Sequence, residues 1–315
     1  MWLNFGKSPQ MLLPQPIETQ SLQHPIFDEK KVNVSLLRLD QIHSGVSGNK
    51  FFKLKYNLEE AKKLGKPSIL TFGGAYSNHI YATASAAREA GLTSIGIIRG
   101  EGLDRKNPTL LHARERGMLL HFVSRVDYRK KNSEEYIDHL RAHFGDFYLI
   151  PEGGTNSLAI QGTAEILEEK HREFSHVCTA LGTGGTFAGL AKSLNSAQTL
   201  LGFSSLKGEF IREEIENLLI GSNIHPKGRL EIFTQFHFGG YAKWTDELID
   251  FIHWFWKAFG VILDPIYTGK MAFGFWELLQ TNHFPAGSKI LLIHTGGLQG
   301  NLGFTQRTGI ALPTP

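Results

Sequence analysis

His176-Val177-Cys178-Thr179-Ala180-Leu181-Gly182-Thr183-Gly184-Gly185-Thr186-Phe187-Ala188-Gly189 is the stretch on which the reading of the chain turns. An apolar run of strand length ends at Gly182, and a helical pattern from Thr186 to Leu194 follows at once. A strand, a glycine turn and a helix start gather unpaired backbone N–H groups and the positive helix end at one point, which suits a phosphate. Phe187 occupies the third glycine position of the dinucleotide fingerprint, and no acidic residue stands about 20 positions on to hold a ribose. No Gly-Lys-Ser/Thr follows, so the turn is not a Walker loop. A small phosphate-bearing ligand is favoured over a dinucleotide; an ordinary tight strand-to-helix turn is the plainer alternative.

The same punctuation recurs. Ser68 to Gly74, Ser94 to Gly100, Phe147 to Gly154 and Lys289 to Gly297 are apolar runs closing on glycine, which read as buried parallel strands. Between them, Leu54 to Leu64 reads as a helix stopped by Gly65, and Ile80 to Ala90 as one stopped by Gly91. Alternating strands and helices predict an α/β fold of open, twisted, mostly parallel sheets flanked by helices. Ligands in such folds sit beyond the carboxyl ends of the strands, where these glycines fall.

Composition narrows the function. With 33 Lys+Arg against 30 Asp+Glu, and no clustered basic run, nucleic-acid binding is not indicated. The Arg125–Lys131 stretch reads as a solvated loop. One cysteine, Cys178, leaves no internal disulfide and no cysteine-based zinc site, which suits a reducing cytosol. Met1 to Lys7 lacks the pattern of a signal peptide. The most apolar stretch, Leu248 to Leu263, carries Asp250, His253 and Lys257 and is a poor membrane span. Within it Phe251, Trp254, Phe255 and Phe259 recur at helical spacing, for core packing or a dimer contact. His139 and His143 would share a helix face, but two ligands are too few for zinc.

Two further segments carry chemistry. In Ser47-Gly48-Asn49-Lys50-Phe51-Phe52-Lys53, Lys50 lies beside an apolar pair that would desolvate its amine and lower its pKa, as an imine-forming lysine requires; a solvated surface lysine is the alternative. Gly73-Gly74-Ala75-Tyr76-Ser77-Asn78-His79 puts polar side chains at a glycine-broken strand end. Ser77 lacks the Gly-x-Ser-x-Gly context of a hydrolase nucleophile, and Ser77 or Asn78 would also serve as a helix cap.

Taken in order, Ser-Gly-Asn-Lys, Gly-Gly-x-x-Ser-Asn-His and Gly-Thr-Gly-Gly-Thr resemble the pyridoxal-phosphate enzymes grouped as 1-aminocyclopropane-1-carboxylate deaminases and D-cysteine desulfhydrases, of the tryptophan-synthase β-like fold (fold type II). The resemblance runs from about Leu36 to Gly297. It implies a large cofactor-binding domain of residues 1–50 and 151–315, a small domain of residues 51–150, a homodimer and a cytoplasmic location. It also implies roles. Lys50 would hold the cofactor covalently and later move the proton at the substrate Cα. Lys53 and the amides of Thr183, Gly184, Gly185 and Thr186 would bind the phosphate. Asn78 would hydrogen-bond the cofactor's phenolic oxygen, and Ser77, with the amides of Asn78 and His79, the substrate carboxylate. Tyr241, in Phe238-Gly239-Gly240-Tyr241, and Tyr267, in Asp264-Pro265-Ile266-Tyr267-Thr268-Gly269-Lys270, would complete the site.

Two positions separate the branches. The cyclopropane-opening enzymes typically carry Glu after the matched tyrosine and Leu before the late Gly-Gly; here these are Thr268 and Thr295, the pattern of the desulfhydrases. A carboxylate near the pyridine nitrogen favours its protonated form and a strong electron sink, whereas a hydroxyl donates to the unprotonated nitrogen. Expelling thiolate needs less help than opening a cyclopropane, so the expected reaction is α,β-elimination from D-cysteine to pyruvate, ammonia and hydrogen sulfide. Cyclopropane deamination, another D-amino acid, or racemisation keeps the same cofactor, and a non-enzymatic phosphate-ligand sensor is the reading without catalysis. Phe52, Tyr76 and Leu298-Gln299-Gly300-Asn301 depart from the pattern at positions expected near the substrate.

Overall fold

The computed structural model describes residues 12–102 and 107–314, so Met1–Lys7 lies outside the described residues. Among these residues ten strands run β1 (Thr19–Leu22), β2 (Asn33–Leu37), β3 (Ser68–Gly74), β4 (Thr93–Arg99), β5 (Met118–Val123), β6 (Tyr148–Ile150), β7 (His176–Leu181), β8 (Thr199–Ser204), β9 (Arg229–Phe233) and β10 (Lys289–Ile293). Among the described residues they form a six-stranded sheet, β1-β2-β10-β7-β8-β9, and a four-stranded sheet, β5-β4-β3-β6. Every pairing is parallel except β1 with β2. Strands with helices on both faces must be apolar throughout, and β3 and β7 are buried along nearly their whole length.

The helix Asn49–Lys63 joins the two sheets and starts five residues earlier than its sequence pattern indicates. Gly48 breaks the chain ahead of it at φ +68°, where a Cβ would lie 2.0 Å from the Thr295 carbonyl oxygen. Phe51, Leu54, Leu58 and Ala61 form its buried face. Its backbone also meets the Ser157–Thr163 helix closely, because a Cβ on Gly162 would lie 2.0 Å from the Phe52 carbonyl oxygen. Gly65, at φ +64°, ends it.

Phe52 is 6% exposed and packs in the core, edge-on to Phe51, so it does not reach the substrate region. The Arg125–Lys131 stretch is not simply a solvated loop. Arg125–Tyr128 is a short helix, anchored by the buried Tyr128. Phe251 and Phe255 on the helix Asp246–Phe259 are core residues, and Trp254 packs on Trp276 at 4.4 Å between ring centroids. No helix among the described residues is long and apolar enough to cross a membrane.

Candidate active site

A cavity of about 620 Å³ opens where the carboxyl ends of β3, β4, β6, β7 and β10 converge, bounded by the start of the Asn49–Lys63 helix. Lys50 and Lys53 are three apart on that helix and present their amines to the same space. The Lys50 amine lies 3.5 Å from the Gly153 carbonyl oxygen, and burial lowers its pKa to about 8. Lys53 donates to Gly153 O at 3.0 Å, to Thr155 Oγ1 at 3.1 Å and to Thr183 Oγ1 at 3.4 Å. Burial first, and then Lys50, hold its pKa well below the ordinary lysine value.

All three acceptors of Lys53 are neutral, so a buried ammonium there lacks a compensating charge. The turn after β7 meets the same point. The helix Gly185–Ser193 has no side-chain cap, its first hydrogen bond runs from Ala188 N to Gly184 O, and the amides ahead of that bond lack helical partners. Gly184 sits at φ +80°, and a Cβ on Gly185 would lie 2.9 Å from Thr155 Oγ1 and 3.1 Å from Lys53 Nζ. Thr186 accepts from Asn49 Nδ2 at 2.8 Å, which ties the turn to the lysine-bearing helix. Open amides, a close-approach glycine and an uncompensated ammonium make a donor set for a phosphate. With Lys50 as the amine, these residues fit pyridoxal phosphate.

The polar strand end after β3 forms the opposite wall. Ser77 caps the helix Asn78–Glu89, accepting from Ile80 N at 3.3 Å, which leaves its hydroxyl proton for a ligand. Asn78 Oδ1 accepts from Gln299 Nε2 at 2.6 Å, and a Cβ on Gly297 would lie 2.6 Å from Asn78 Nδ2. The His79 ring turns inward to Thr71 Oγ1 at 2.8 Å, and the Thr71 hydroxyl donates to Ile150 O. The imidazole therefore donates from Nε2 and leaves Nδ1 buried without a partner. Burial, then Lys50 and Lys53, keep it neutral by pushing its pKa well down.

Tyr267 lies against the phosphate turn, where a Cβ on Gly182 would be 3.0 Å from its ring. Tyr241 stands at the cavity rim, 44% exposed, its ring centroid 6.1 Å from that of Tyr267. Burial raises both phenols, and the Tyr241 neighbour raises Tyr267 further, so both are protonated near neutrality. Asp264 sets Tyr267 in place, accepting from the amides of Ile266, Tyr267 and Thr268 at 2.8–2.9 Å and from Thr268 Oγ1 at 2.5 Å.

The two threonines part company here. Thr295 lines the cavity, whereas Thr268 is fully buried with its hydroxyl held between Asp264 N and Asp264 Oδ2, so it does not reach the ligand space. Of the sequence departures, Tyr76 and Gln299 line the cavity; Asn301 is buried, its amide donating to Leu263 O and Pro313 O.

Sequence reasoning missed the charged wall. Arg99 ends β4, Glu152 follows β6, and Lys131 pairs with Glu152 at 3.4 Å while the Tyr128 hydroxyl donates to Glu152 at 2.8 Å. The available signal was a charged residue just beyond an apolar run, in Ile98-Arg99-Gly100 and Pro151-Glu152-Gly153. His139 and His143 lie on the helix Glu134–Phe144, and no group of three or more His, Cys, Asp or Glu among the described residues is placed to share a metal.

Comparison with known proteins agrees with the geometry. Residues 14–296 match the family model described as pyridoxal-phosphate dependent enzyme. A putative 1-aminocyclopropane-1-carboxylate deaminase of Pyrococcus horikoshii is 30% identical, over 95% of this chain and 95% of that protein. A mitochondrial bifunctional D-cysteine desulfhydrase/1-aminocyclopropane-1-carboxylate deaminase of Arabidopsis thaliana is 32% identical, over 81% of this chain and 70% of that protein. The crystal structure of a homologue of 1-aminocyclopropane-1-carboxylate deaminase superposes with a TM-score of 0.78 at 28% identity, covering 94% of each chain.

Proposed function

The chain belongs to the pyridoxal-phosphate dependent enzymes, in the group of 1-aminocyclopropane-1-carboxylate deaminases and D-cysteine desulfhydrases, and from that premise we propose that it catalyses α,β-elimination from a small D-amino acid. The proposed substrate is D-cysteine, which with one water gives pyruvate, ammonia and hydrogen sulfide. The observation that carries this choice is Thr295 in the cavity wall, with the Asp264 carboxylate already taken up by its own turn.

Bound pyridoxal phosphate supplies an electron sink for the charge left at the substrate Cα when its proton departs. Lys53 and the 183–186 turn hold the phosphate. Ser77 and the amides at the start of the Asn78–Glu89 helix hold the substrate carboxylate, where the helix dipole favours negative charge. Lys50 takes the Cα proton; an amine titrating at about 8 is partly neutral at physiological pH and still basic enough to act. Tyr267 and Tyr241, protonated and facing the cavity, donate hydrogen bonds to the departing sulfur. Thr295 would offer a hydroxyl to the ring nitrogen of the bound cofactor, a neutral donor that leaves a milder electron sink, which suffices for thiolate loss.

The names of the Pyrococcus and Arabidopsis relatives support a second reading, deamination of 1-aminocyclopropane-1-carboxylate. An assay of D-cysteine, L-cysteine, D-serine, β-chloro-D-alanine and the cyclopropane substrate separates the two. Sulfide and pyruvate from D-cysteine are expected. Release of 2-oxobutanoate from the cyclopropane, with no sulfide from D-cysteine, reverses the choice.

The proposal includes a division into residues 1–50 with 151–315 and residues 51–150, supported by the origin of the four-stranded sheet between Ser68 and Ile150. It also includes a cytoplasmic homodimer, as the resemblance implies; sedimentation of the holoenzyme tests the oligomer.

A further inference from the structure

Lys270 is fully buried, and the acceptors the structure gives its amine are two carbonyl oxygens, His237 O and Gly240 O, each at 2.8 Å. Burying an ammonium costs free energy that an apolar side chain of the same length avoids, so its presence calls for a task. The same carbonyls already close the turn: Gly240 N donates to His237 O at 3.0 Å, and Lys243 N to Gly240 O at 3.1 Å.

This turn is strained. Phe238, Gly239, Gly240 and Ala242 have φ of +51°, +90°, +114° and +56°, and two of the four carry a Cβ that disfavours this region. A segment in such a conformation persists only where its surroundings fix it. Tyr241 lies inside it, while Tyr267 immediately precedes the helix Thr268–Gln280 that carries Lys270. One side chain thus ties the loop bearing one tyrosine to the helix that directly follows the other.

We propose that Lys270 is a positioning residue: by holding the 237–242 turn against the Thr268–Gln280 helix, it sets the Tyr241 phenol relative to Tyr267 and the cavity. The inference rests on the reading of Tyr241 as a residue of the working site. It implies that Lys270 acts on turnover through Tyr241 and through no other group.

The test is a double-mutant cycle on the holoenzyme, reading kcat, KM and the absorption spectrum for Lys270→Met, Tyr241→Phe and the double variant. Displacing a working group by about 1 Å costs up to roughly a hundredfold in rate. Each single substitution is expected to lower kcat by roughly tenfold to a hundredfold with the cofactor spectrum unchanged, and the double variant to fall no lower than Tyr241→Phe alone. Multiplied losses in the double variant, or wild-type kcat in Lys270→Met, overturn the role of Lys270 and leave the proposed reaction intact. Wild-type kcat in Tyr241→Phe instead removes Tyr241 from the site, and the inference with it. Should Lys270→Met not fold, hydrogen exchange on the wild-type holoenzyme decides: slow exchange at the Gly240 and Lys243 amides is expected, and exchange at the rate of an unstructured peptide overturns the proposal.

Discussion

Replacing Lys53 by Met removes an ammonium and leaves its aliphatic stem, which is 2% exposed and packed. In the free protein the loss is three hydrogen bonds to neutral partners, offset by relief of a buried charge, so the two effects oppose each other. With cofactor bound as proposed, the substitution would also remove a charge-assisted bond to the phosphate. Hydrogen bonds to charged groups contribute about 1.5–3 kcal/mol each. A loss of about 2.7 kcal/mol corresponds to roughly a hundredfold weaker apparent affinity. At a cofactor concentration well above the variant's dissociation constant, the same loss appears as about 2.7 kcal/mol less ligand-linked stability. For a chain of 315 residues that is roughly 4 °C of the cofactor-induced rise in Tm. Titration by absorbance and paired melts with and without pyridoxal phosphate give both quantities. An unchanged affinity together with an unchanged cofactor-induced rise would refute the assignment of Lys53 to the phosphate.

Lys50→Ala is expected to abolish the visible absorbance of the loaded protein and all turnover; unchanged colour would take Lys50 out of the mechanism. Because burial lowers the Lys50 amine to about 8, its neutral form grows as pH rises through that value, so log kcat is expected to climb with unit slope below about 8 and then level. A profile flat from pH 6 to 9 contradicts this. Gly48→Ala places a Cβ 2.0 Å from the Thr295 carbonyl oxygen in a conformation, φ +68° and ψ −149°, that is essentially confined to glycine. Backbone strain and overpacking each cost about 1–3 kcal/mol, so denaturant unfolding should show at least about 2 kcal/mol lost. A variant as stable as wild type would show that the contact between Gly48 and the end of β10 is loose.

The strands most legible in the sequence were those buried on both faces. β3 and β7 read as unbroken apolar runs closing on glycine because sheets covered by helices impose that pattern. β9 is partly exposed along its length, and β1 is four residues long, so neither writes such a run. The start of the Asn49–Lys63 helix was hidden because Gly48 looks like any loop glycine until its contact with Thr295, some 250 positions away in the chain, is known.

The same limit applies at the site. Lys50 and the 183–186 turn were readable as local motifs, whereas the role of Lys53 came only with the family resemblance. That Thr295 lines the cavity while Thr268 turns to Asp264 follows from the Asp264 hydrogen bonds, which spacing does not encode. Arg99, Lys131 and Glu152 come together only through the parallel order of β4, β3 and β6 and the fold of the 125–131 stretch.

The covalent attachment point tests the account most directly. Holoenzyme fully loaded with pyridoxal phosphate is reduced with borohydride, digested and mapped by mass spectrometry. The account expects the phosphopyridoxyl group on the peptide containing Lys50, at that residue. Fully loaded protein that carries the group on Lys53 or Lys270, or on no lysine, contradicts it.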